Sequence, residues 1–214
     1  MFYIIIIIAM FAITIANFFV FSSLLGVSFL YVFCWVCFLT ASVIIVDLIC
    51  AGIVRWLLPE RWFSVDKMKF FCASRSKCSL YEKLGIKKWK DKIPELGKLT
   101  SFRKNKIMDP KNNEYISRYI LEANYGVIVH VCGMVFGYVV ILLNLKLPFV
   151  GLGVAVVNTV YCWLPFAILR YNLPKLHRLY KINEKAAARR VKTERLAKDA
   201  ETAENEVAVG TTVE

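Results

Sequence analysis

Apolar residues in this chain fall into two long blocks rather than short alternations. Residues 2–54 carry a single formal charge, Asp47, and residues 123–169 carry only Lys146 besides a histidine, His130. Roughly 20 apolar residues cross a bilayer core, so each block predicts two crossings. The serines and glycine of "FSSLLG" (21–26) offer a turn within the first block. Asn144, Lys146, Pro148 and Gly151 of "NLKLPFVG" (144–151) offer one within the second. The pattern predicts an all-α integral membrane protein with four transmembrane helices in two hairpins, at about 2–21, 26–57, 122–144 and 150–170. A polar loop, 58–121, joins the hairpins, and a tail, 171–214, follows them as a cytoplasmic helix to about residue 200 and a disordered end.

Composition supports the membrane reading: 58% of the 214 residues are apolar, and the mean hydropathy is +0.54. Charge sets the orientation. Of 28 Lys and Arg, 16 fall in 58–121 and 10 from Arg170 onward, while Lys146 alone lies in a hairpin on the far side. Basic residues accumulate in cytoplasmic loops, so a multi-pass protein of the cell membrane with both termini cytoplasmic is expected. A cleaved signal peptide at residues 1–20 is disfavoured, because the apolar run is long and meets no small-residue cleavage site. The net charge of +12 points to the anionic inner leaflet and not to nucleic acid. Trp62, Phe63, Phe70, Phe71, Tyr81 and Trp89 alternate with basic residues in the loop, the make-up of short interfacial helices. No metal site is expected. Cys34 and Cys37 form a "CWVC" inside a membrane helix without a histidine cluster, and Cys72 and Cys78 lack further ligands.

Ionisable groups inside membrane helices are expensive and ask for a reason. Glu122 opens the predicted third helix, and His130 follows eight residues later, about 12 Å deeper at 1.5 Å per residue. Gly126, Gly133 and Gly137 accompany them; "GMVFG" is a GxxxG that lets another helix approach. His130 either serves a site or gives one hydrogen bond to a neighbouring helix. On the fourth helix, Asn158 and Tyr161 lie within the span, and Arg170, Tyr171 and Asn172 close it. Asp47 lies on the second helix. The chain has no GxSxG, P-loop, HExxH or Rossmann fingerprint. A membrane enzyme, a non-enzymatic scaffold or assembly subunit, and a small lipid transporter all remain open on this ground.

Three stretches in order, "YEKLGIKKWKDKIPELGKL" (81–99), "YILEANYGVIVH" (119–130) and "NTVYCWLPFAILRYNLPKL" (158–176), preceded by "PERWF" (59–63), resemble the glycosyl-4,4'-diaponeurosporenoate acyltransferase family of bacteria. The resemblance covers roughly residues 40 to 185. It implies transfer of a fatty acyl chain onto a sugar hydroxyl of a glycosylated membrane lipid, a carotenoid glycoside or another glycolipid, at the inner leaflet. On this reading His130 is the general base and Glu122 orients the acceptor. Arg170, Tyr171 and Asn172, with Asn158 and Tyr161, bind substrate. Lys87, Lys88, Lys90 and Lys92 hold the phosphates of an acyl donor, acyl-CoA or acyl carrier protein, which is a co-substrate; no bound cofactor is implied. Two positions differ from the staphylococcal pattern. Val127 stands where it has a second glutamate, and Leu173 where it has an arginine.

Overall fold

The computed structural model describes residues 2–65, 67, 72–93 and 107–210. Phe70, Phe71 and residues 211–214, the last part of the disordered end expected after about residue 200, lie outside these. The described residues form helices and no strands: α1 (Phe2–Leu25), α2 (Phe29–Gly52), α3 (Arg75–Lys83), α4 (Ile86–Trp89), α5 (Asn113–Phe136) and α6 (Pro148–Gly210). Four of these segments, α1, α2, α5 and α6, are long and apolar enough to cross a membrane.

Local chemistry explains the turns. Gly26 takes a left-handed φ of 61°, which a side chain would strain, and Ser28 caps α2 by accepting a hydrogen bond from the Tyr31 N–H. At the second hairpin the buried Asn144 Oδ1 accepts from the Leu147 N–H at 3.2 Å, and Pro148 opens α6, where its missing N–H costs nothing. Beyond Gly52 the helix widens through Ile53–Leu57 and stops before Pro59. Beyond Phe136 it tightens into a 3-10 segment, Gly137–Leu143.

Two boundaries differ from the sequence expectation. The third helix begins at Asn113 and not at 122, because Asn112 caps it by accepting from the Tyr115 N–H, so Glu122 lies two and a half turns inside it. The fourth helix does not end at 170. It runs unbroken to Gly210, ten residues past the expected end of the tail helix, since the sequence after Arg170 is rich in Ala, Glu, Lys and Arg. Its 63 residues span about 95 Å, some three times a bilayer core.

Packing is concentrated where the helices meet. Val32, Val36, Leu39 and Val43 of α2 form a core with Val140, Val150, Val154 and Ala155, which Phe21 of α1 joins. The loop helices also have a core. Tyr81, Ile86 and Ile93 pack on Ala167, Ile168 and Tyr171 of α6, so this part of the loop is fastened to the bundle. Pro174 contributes to that docking. Lacking an N–H, it leaves the Arg170 carbonyl unclaimed within the helix, and the Ala73 N–H takes it at 3.4 Å.

Candidate functional site

The charged residues at one end of the bundle are joined in a network. Arg55, just past α2, donates to Glu122 Oε2 at 2.5 Å, and Arg118 lies 3.4 Å from the other carboxylate oxygen. Arg118 also pairs with Glu60 at 2.7 Å. The Glu122 side chain is only 16% exposed, so its two cations replace lost hydration. Beside it Phe63 stacks on Tyr125 with ring centroids 4.2 Å apart. The buried Asn124 amide donates to the Phe63 carbonyl at 2.8 Å, and the Arg55 guanidinium sits 5.0 Å over the Tyr125 ring. The short turn "ERWF" (Glu60–Phe63) is thus seated on α5 around Glu122.

His130 lies eight residues further along α5, about 12 Å from Glu122 along the axis. At 100° per residue it shares one helix face with Gly126, Gly133 and Gly137. That face is turned to α2 and α6. A methyl group at Gly126 would fall 2.8 Å from Leu169 Cδ1; at Gly133 it would fall 2.7 Å from Asp47 Oδ1 and 2.9 Å from Cys162 Sγ; at Gly137 it would fall 2.7 Å from Asn158 Nδ2. Among the described residues the His130 ring makes no hydrogen bond.

A further polar cluster lies three residues beyond His130. Asn158 Nδ2 donates to the Gly133 carbonyl at 3.3 Å and to Asp47 Oδ1 at 3.4 Å, while the Cys162 thiol points to Asp47 Oδ2 at 3.6 Å. These groups tie α2, α5 and α6 together about 16 to 18 Å from the charged end, as counted along α5 from Glu122 and along α6 from Arg170. Cys162 was not singled out in the sequence. Its position four residues after Asn158, on the same face of α6, was the available signal.

The third group of candidates sits where the loop docks on α6. Tyr171 is buried, and its hydroxyl donates to Glu82 Oε1 at 2.8 Å; Lys87 pairs with the same oxygen at 2.9 Å. Lys87 and then Tyr171 hold the Glu82 carboxyl below the usual glutamate range. Lys175 Nζ lies 3.9 Å over the Tyr171 ring, and the Arg170 guanidinium lies 5.3 Å over Phe166. Asn172 is half-buried beside them. Lys88 and Lys92 are exposed and Lys90 half-buried on the surface of α4 and the turn after it, whereas Tyr161 is 39% exposed on the side of the bundle.

The structure therefore distributes the residues expected to form a site among three clusters. Glu122 belongs to one, Asn158 to a second, and Tyr171 with Lys87 to a third; His130 stands between the first two. Arg55, Glu60, Arg118 and Glu82 had not been expected to take part, since nothing in their spacing reveals which carboxylate meets which cation. Among the described residues no group of three or more His, Cys, Asp or Glu is placed to hold a metal ion.

The sequence model of the glycosyl-4,4'-diaponeurosporenoate acyltransferase family matches residues 59–182, more than half of the chain. The match takes in "ERWF", the loop helices, all of α5 and α6 as far as Ile182. No curated protein and no solved structure matches the chain.

Proposed function

Because the chain belongs to the glycosyl-4,4'-diaponeurosporenoate acyltransferase family, we propose that it moves a fatty acyl chain from a thioester donor onto a sugar hydroxyl of a glycosylated membrane lipid, a carotenoid glycoside or a related glycolipid. On this reading the four helices long and apolar enough to cross a membrane sit in the cell membrane, and the excess of Lys and Arg in the loop and tail supports a cytoplasmic side for both termini and the loop, with the reaction at the inner leaflet.

The observation that carries this reading within the structure is the placing of His130. A titratable ring sits inside a helix of membrane-spanning length, on a face otherwise lined by glycines, with no hydrogen bond from a described residue. The ring nitrogen is free to take the proton of the acceptor hydroxyl as that oxygen attacks the acyl carbonyl carbon. A new C–O bond forms, the C–S bond breaks, and the imidazolium returns the proton to the departing thiolate. Glu122, fixed by Arg55 and Arg118, orients the sugar from the charged end, and Arg170 with Asn172 offers donors for the oxyanion. Tyr171 and Asn158 are occupied by Glu82 and Asp47, and hold the helices on either side of the reacting groups.

The separation of the polar residues into three clusters favours a second reading, a non-enzymatic membrane module that uses its basic loop and tail to dock partners. One experiment decides between them. Lipid mass spectrometry compares the native host with strains in which the gene is deleted, restored, or restored as His130→Ala. Acyl transfer requires loss of an acylated glycolipid on deletion, accumulation of its unacylated precursor, and recovery with wild type alone. Normal acylation in the deletion strain would leave the docking module as the reading; recovery by His130→Ala would remove the histidine from the mechanism.

A further inference from the structure

Beyond Arg170, α6 continues through Pro174, His177, Arg178, Lys181, Ile182 and Lys185, and these six line a cavity of about 430 Å³. The three basic residues recur at spacings of three and four, so one face of the helix presents them together. Like charges so close repel one another, and the arrangement is stable when an anion lies between them. None of the three has a hydrogen bond or ion pair to a described residue, and Glu184, the nearest carboxylate in sequence, is not part of the lining. Lys87, by contrast, is already paired with Glu82.

The height of the cavity selects the kind of anion. Arg178 and Lys185 lie eight and fifteen residues past Arg170, which is about 12 and 22 Å along the helix. The headgroup layer is only about 5–7 Å thick on each side of the hydrocarbon core, so with the apolar span ending near Arg170 the basic part of the cavity, from Arg178 onward, stands beyond the lipid phosphates while Pro174 lies at their level. Its volume lies within the roughly 300–1,000 Å³ of small-molecule sites, and it is open to one side. Pro174 and Ile182 add an apolar side to it.

We propose that this cavity binds the phosphate-bearing end of a nucleotide-linked acyl thioester of the coenzyme A type. Arg178, Lys181 and Lys185 neutralise its phosphates, and the flexible arm carries the thioester down α6 toward Arg170. The inference rests on the acyl-transfer reading and deepens it by naming the donor class and its docking place.

The test measures coenzyme A binding to the full-length protein in detergent by equilibrium dialysis. Combined Arg178→Gln, Lys181→Gln and Lys185→Gln should weaken binding by about tenfold or more, while His130→Ala retains it. A control removing three charges further along the helix, Lys192→Gln, Arg195→Gln and Lys198→Gln, should bind as wild type, and thermal unfolding confirms that each variant is folded. In a second arm, native mass spectrometry counts retained phosphatidylglycerol, which should be equal in wild type and the cavity variant. Absent binding to wild type, equal loss in the control variant, or loss of phosphatidylglycerol without loss of coenzyme A would each overturn the assignment. Coenzyme A bound at the cavity by a protein that acylates no lipid would sink the acyl-transfer reading and leave the binding site standing. Acyl transfer with an unchanged donor KM in the cavity variant would do the reverse.

Discussion

Val127 and Leu173, the two positions that differ from the staphylococcal pattern, are both 0% exposed and belong to one apolar cluster between α5 and α6, with Ile116, Ile120, Ala123 and Leu176. A glutamate and an arginine there would be two buried charges that must pair. Valine and leucine fill the same cluster without that demand. In this chain both residues are part of the packing between α5 and α6. Val127→Glu alone should cost about 3–5 kcal/mol by burying an unpaired carboxylate, and Leu173→Arg alone should be similarly damaging. The double substitution should recover part of the loss, as read by thermal unfolding in detergent. Strictly additive penalties would mean that the two side chains do not meet. His130 and Glu122 were legible in the sequence because polar groups in apolar runs stand out. Their surroundings were not, because Arg55 and Glu122 are separated by 67 positions.

The order of short motifs acquires a spatial meaning once the helices are assembled. "ERWF" seats on α5 through Phe63, Glu60 and Asn124, and the stretch around α3 and α4 seats on α6 through Tyr81, Ile86 and the Glu82–Tyr171 bond. The loop was expected to form short interfacial helices; among its described residues Phe63, Tyr81 and Trp89 pack against α5 and α6. Glu82 makes that docking pH-dependent. Its carboxyl is held below the ordinary value near ~4.3, so the contribution is complete above that value and is lost as pH falls through the lowered one. Amide hydrogen exchange in α3 and α4 should be flat from neutral pH to about 5 after correction for intrinsic rates, and protection should fall only below about pH 4. Glu82→Gln should reduce protection at pH 7 and remove the acid transition; a variant that behaves as wild type would show that Tyr81 and Ile86 alone hold the loop.

For the molecule as a whole, the charge asymmetry makes a topological claim. Lys146, exposed in the hairpin between α5 and α6, is the basic residue at the end of the bundle away from the loop and tail. With all seven native cysteines free in the structure, a cysteine-free variant bearing Lys146→Cys should react with a membrane-impermeant maleimide in intact cells, and the same variant bearing Lys185→Cys should react only after lysis. The opposite pattern would invert the orientation and move the proposed reaction to the outer face. A long α6 also links the proposed donor cavity to the proposed oxyanion donors, since a single helix carries the cavity residues, Arg170 and Asn172, with Pro165 and Pro174 inside it.

The hydrophobic pattern alone determined the helical membrane architecture, the two hairpin turns and the basic end, because the bilayer allows few ways to satisfy a backbone and because turn residues act locally. The order of the motifs was sufficient to reach the acyltransferase family. Partnership was decided in three dimensions: Glu122 with Arg55 and Arg118, Asn158 with Asp47, Tyr171 with Glu82, and Arg178 with Lys181 and Lys185 around a cavity. Hydrogen bonds and ion pairs act over about 3 to 4 Å, and which groups come that close depends on how helices rotate and cross, a matter of packing among residues far apart in the chain.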